Sequence, residues 1–137
     1  MKLPAFFPIA DTGRAAKGRR LAALAVRIKL VSVCVIGIPL LKFSLLGGLP
    51  IATVLTSFVS ALLPMLIALW GFSNGYLIVG ILYAILCLFG VFGAFSAFQS
   101  GLVSAFFAIS LAILDFVALS GIIIWIRNRR REPALAP

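Results

Sequence analysis

From Leu30 to Ile126 the chain carries two charged side chains, Lys42 and Asp115. No water-soluble domain of that length folds with so little charge. About a quarter of a soluble domain's residues are charged, against 11% here, while 64% of the residues are hydrophobic. Polar surface is too scarce to cover a globule. Apolar runs of about 20 residues, several in succession, predict an integral membrane protein.

Turn signals divide the apolar stretch. GGLP at residues 47–50, GFSNG at 71–75 and SAFQSG at 96–101 are rich in glycine, proline, serine and asparagine. They leave spans of about 30–46, 51–70, 76–95 and 102–126. Each is near the ~20 residues, at ~1.5 Å apiece, that cross a ~30 Å hydrocarbon core. Pro50 is placed to open the second span, and Pro39 to loosen the first. Trp70 and Tyr76 flank one turn and Trp125 adjoins Arg127, as interfacial aromatics do.

The net charge of +9 is confined to the flanks. Of the basic residues, Lys42 alone lies between Leu30 and Ile126. Such flanks set membrane topology and meet anionic lipid, and both termini are expected in the cytoplasm, which requires an even number of spans. Nucleic acid is not expected as a partner, since no binding motif accompanies the charge. Within residues 14–29, Lys17, Arg20 and Arg27 share one helical face. The expectation is a basic interfacial helix preceding the bundle. The predicted fold is thus all-α: an up-down bundle of four transmembrane helices preceded by that helix. It divides into a basic segment 1–29, a membrane domain 30–126 and a basic tail 127–137. Lys17, Arg20, Arg27, Arg129, Arg130 and Arg131 are the candidate anionic-lipid contacts. The N-terminus does not read as a secretory signal, because LPAFFPIA is short and broken by prolines.

Transmembrane helices associate through small residues and occasional polar contacts. In the fourth span Ser104, Ala108, Ala112 and Ala118 recur at spacings of three and four, with Gly101 and Asp115 on the same face. Leu102, Phe106, Ile109, Ile113, Val117 and Ile124 lie opposite, toward lipid. In the second span Thr53, Ser57 and Ser60 form a stripe that reads as helix packing or, less simply, as a polar path.

A charge near the bilayer centre costs at least ~2.5–3.5 kcal/mol, so Asp115 needs a reason. Three are open. It pairs with Lys42, whose depth in the first span matches its own; it carries protons; or it is protonated and bonded to a hydroxyl. Lys42 has its own alternative, snorkelling outward on a long stem. An intramembrane ion pair Lys42–Asp115 is the leading expectation.

Catalysis has little to stand on. The chain has no histidine and three acidic residues, Asp11, Asp115 and Glu132, and no phosphate loop. Catalytic, metal and cofactor sites are not expected. Cys34 and Cys87 both lie in apolar runs and read as small buried hydrophobes. The composition favours a non-catalytic accessory, assembly or stabilising subunit of a membrane complex, in a bacterial inner membrane. Its partners would be anionic lipids and other membrane subunits, or itself. The alternative is a small oligomeric ion- or proton-coupled transporter or channel using Asp115. Four short spans with one intramembrane acid are similar in layout to the small multidrug-resistance transporters, which place their acid in the first span. A holin-like pore is the third class.

Overall fold

A computed structural model describes residues 13–97 and 101–131, with side chains throughout except at residues 40, 94–97, 102–105, 107 and 129–131. The described chain is helical: α1 Gly13–Leu46, α2 Ile51–Asn74, α3 Leu77–Ala97 and α4 Leu102–Arg131. Three helical stretches, Gly13–Leu46, Ile51–Asn74 and Ala108–Asn128, are long and apolar enough to cross a membrane, and Leu77–Gly93 of α3 is a shorter apolar stretch.

The turns work as glycine turns do. Gly48 takes a φ of +85° between α1 and α2, and Leu49 N–H donates to Ser44 O at 3.2 Å. Pro50, at φ −57°, stands immediately before α2, where its missing N–H costs no helical bond. The end of α2 comes later than the expected residue 70. Gly71 to Asn74 remain helical, and Gly75 stops the helix in the left-handed region at φ 76°. Tyr76 N–H then donates back to Gly71 O at 2.9 Å, closing the last turn.

Each helix packs on its neighbours in sequence, and α1 also packs on α4, the largest interface. The four form a closed ring of antiparallel neighbours. The core lies at one end of that ring, where α1 begins, α2 ends, α3 begins and α4 ends. Trp125, Phe72, Leu77 and Ile122 are fully buried there. Phe72 sits edge-on to Trp125 (centroids 5.9 Å apart) and to Tyr83 (6.1 Å), geometries that add to simple area burial. Toward the other end large apolar side chains point outward, among them Val35, Phe43, Leu46, Phe89, Phe92 and Phe106.

Two expectations are corrected. Residues 14–29 are not a separate interfacial helix. They are the first half of one unbroken α1, with Ala15, Ala22, Ala25 and Val26 buried. Small residues on that face let α1 approach α4 backbone to backbone: a Cβ on Gly18 would stand 2.7 Å from Gly121 O. Trp125, expected among the interfacial aromatics, is turned into the bundle rather than outward. It is fully buried, with its ring over Gly80, where a Cβ would come within 2.7 Å of Trp125 Cζ3. Trp70 and Tyr76 do flank the α2–α3 turn, stacked at 5.0 Å and 18°.

A buried lysine–aspartate pair as candidate functional site

Asp115 is the one buried charged residue among the described residues, 2% exposed. It stands at mid-height on α4, on the face that turns inward through Ala118, Ile122 and Trp125. Its partner is Lys29. Lys29 Nζ donates to Asp115 Oδ1 at 2.6 Å, a short, charge-assisted contact. On the other side the carboxylate lies flush against α3, where a Cβ on Gly90 would fall 2.6 Å from Asp115 Oδ2. Glycine at 90 thus makes room for the carboxylate between the helices.

This arrangement corrects the expected pair. Lys42 is exposed and lies thirteen residues beyond Lys29, roughly 20 Å along the helix axis. Matching depths from span boundaries misled because α1 begins at Gly13 rather than near Leu30, which shifts its register against α4 by several turns. A signal for Lys29 was present in the sequence. Ala15, Gly18, Ala22, Ala25 and Lys29 recur at spacings of three and four, so Lys29 continues the small-residue stripe that meets α4.

Two further polar side chains face the pair from α3. Cys87 is buried and interacts electrostatically with both Asp115 and Lys29. Tyr83, one helical turn earlier, has its hydroxyl buried without a hydrogen bond among the described residues. The polar group it faces is the Cys87 thiol, a weak partner. Sequence reading took Cys87 for a small buried hydrophobe and gave neither residue a part in the charge site.

The other predicted residues fall as follows. Ala108 and Ala112 are half-buried and Ala118 is buried. The Ser104 side chain lies outside the described residues. On α1, Lys17, Arg20 and Arg27 are exposed, on the side away from α4. Arg129, Arg130 and Arg131 belong to the last turn of α4, and their side chains lie outside the described ones, as do Asp11, Glu132 and the segments 1–12, 98–100 and 132–137 as a whole. Two exposed hydroxyls of the second helix bond to their own backbone: Ser57 donates to Thr53 O at 2.9 Å and Thr56 to Ala52 O at 2.6 Å. That is ordinary intrahelical satisfaction. Among the described residues no three His, Cys, Asp or Glu side chains cluster as a metal site would require.

A lone charge in this setting would be costly, and two that meet relieve each other only when geometry and hydrogen bonding are good. Lys29 and Asp115 join α1 to α4 at mid-height, while Gly18 and Gly121 join them at the packed end. Comparison of the chain with protein-family models, with curated proteins and with solved structures gives no match.

Proposed function

We propose that the chain is a small polytopic membrane protein acting as a non-catalytic accessory, assembly or stabilising subunit of a membrane complex. In this reading all four helices span the bilayer in an up-down bundle. The first and last helices begin and end on the cytoplasmic side of a bacterial inner membrane. Support for that topology comes from the basic residues at the start of α1 and the end of α4, which share one end of the bundle with the Trp70–Tyr76 stack. Lys17 and Arg20 on α1, with Arg129, Arg130 and Arg131, would meet anionic headgroups there.

One observation carries the scaffold reading: Asp115 is committed to an internal bond with Lys29 at 2.6 Å. A carboxylate held this way fixes helices to each other. Affinity purification from native membranes in mild detergent tests the reading. Co-purification of other membrane subunits in fixed proportion supports it, and recovery of this chain alone argues against it.

A specific feature favours the second reading, an ion- or proton-coupled transporter. Tyr83, Cys87, Asp115 and Lys29 gather three helices' polar groups at mid-height, and the Tyr83 hydroxyl has no hydrogen bond among the described residues. Proteoliposomes should then show a flux that Asp115→Asn removes. A flux indifferent to that change would end this reading.

A further inference from the structure

One stripe of α1 has no partner in the bundle. Lys17, Arg20, Leu24, Arg27, Val31 and Val35 follow one another at spacings of three and four and lie within one arc of the helix surface. All are exposed, Val31 and Val35 by more than 60%. The opposite face of the same helix holds Gly18, Ala22 and Lys29 against α4. Lys17, Arg20 and Arg27 have no ion-pair partner among the described residues.

Depth separates Arg27 from the other two. The Lys29–Asp115 bond and the contact of Asp115 with Gly90 set residue 29 level with residue 90 of α3. That level is thirteen residues from the start of α3 at Leu77, and Arg27 is two residues nearer, about 17 Å from the α2–α3 turn. Half of a ~30 Å hydrocarbon core is ~15 Å. Lys17 and Arg20 lie within reach of headgroups. Arg27 does not: its stem shortens the distance by a few ångströms only. An arginine at this depth with lipid on its face is among the costliest placements a membrane protein can hold.

We propose that this stripe of α1 is the docking face for a transmembrane helix of a different protein, one carrying a carboxylate that meets Arg27 at mid-bilayer. The apolar Leu24, Val31 and Val35 on either side give that helix its packing surface. A second copy of this chain does not offer a carboxylate at that depth, since Asp115 is buried and bound to Lys29 and the other two acids, Asp11 and Glu132, precede α1 and follow α4 in sequence. The proposal rests on the reading of this chain as a spanning subunit and names the chemistry of its partner.

The test uses the full chain reconstituted in phosphatidylcholine vesicles with a synthetic Leu/Ala transmembrane peptide. One peptide carries a single central Glu and its twin a Gln, so peptide orientation does not matter. Association is read by energy transfer. The Glu peptide should bind about five- to thirty-fold more tightly than the Gln peptide, the range of a good interhelical polar contact. Arg27→Leu should remove the difference, Arg27→Lys should keep it, and Arg20→Leu should leave it. Equal binding of the two peptides, or a preference that survives Arg27→Leu, overturns the proposal. So does loss of the preference when phosphatidylglycerol is added, which would assign Arg27 to lipid headgroups. Alkaline carbonate extraction separates the two levels. A chain that washes off was never spanning, and the subunit reading falls with the proposal. A chain that stays but shows no Glu preference sinks the proposal alone.

Discussion

Gly18 and Gly121 bring α1 and α4 into backbone contact. A Cβ on Gly18 would lie 2.7 Å from Gly121 O, and one on Gly121 would lie 2.8 Å from Gly18 O. Backbone atoms are the nearest neighbours on both sides, with the Ile124 side chain close behind at 2.9 Å from a Cβ on Gly18, so neither residue can grow without moving a backbone. Close approach of this kind is how helices gain packing energy where the hydrophobic drive is absent.

Gly121→Ala should therefore cost about 1–3 kcal/mol, as overpacking does, and Gly18→Leu should cost more. Gly93→Ala is the control, since a Cβ there meets nothing within 4 Å among the described residues; it should be neutral or slightly stabilising through helix propensity. Unfolding of the purified protein in detergent gives the comparison. Equal effects at positions 121 and 93 would contradict the close contact.

The two tryptophan positions make opposite predictions. Trp125 is fully buried and Trp70 is 57% exposed. Trp125→Ala should cost about 3–5 kcal/mol, while Trp70→Ala should change folded stability by well under that. Quenching should agree: a water-soluble quencher should reach Trp70 and leave Trp125 emission unchanged, read in the single-tryptophan variants.

Tyr83 tests whether the polar cluster is hydrated. Its hydroxyl is buried without a hydrogen bond among the described residues, so Tyr83→Phe should be neutral or mildly stabilising, because removing an unsatisfied group relieves its desolvation. A loss above about 1 kcal/mol would mean that water or a ligand holds that hydroxyl. The transporter reading would then gain.

How much of this was legible beforehand depends on the scale of the question. The helices follow from apolar runs broken by Gly47–Pro50 and Gly75, because those residues stop helices whatever surrounds them. The inward direction of Asp115 follows from the spacing of Ala108, Ala112 and Ala118. What failed was registration between helices. A span boundary set at Leu30 by charge made Lys29 look like flank and Lys42 look like partner. Hydropathy measures how long a run is, not how far a helix continues past it. Arginine, lysine and alanine at residues 14–29 are all good helix formers, so α1 ran on. Trp125 misled for a related reason: an aromatic beside a basic residue suggests an outward ring, whereas the space opened for it by Gly80 lies on another helix and cannot be read locally.

The central claim is that Lys29 and Asp115 together lock α1 to α4, and a double-mutant cycle on Lys29→Met and Asp115→Leu tests it most directly, read as unfolding free energy in detergent or lipid. Lys29→Met leaves the buried Asp115 carboxylate alone and should cost about 3–5 kcal/mol, Asp115→Leu leaves a part-buried ammonium and should cost less, and the double change should recover much of the Lys29→Met loss. Lys42→Met should be nearly neutral and should add to Asp115→Leu without coupling. Independent effects at positions 29 and 115, or coupling of Asp115 to Lys42 instead, would contradict the account.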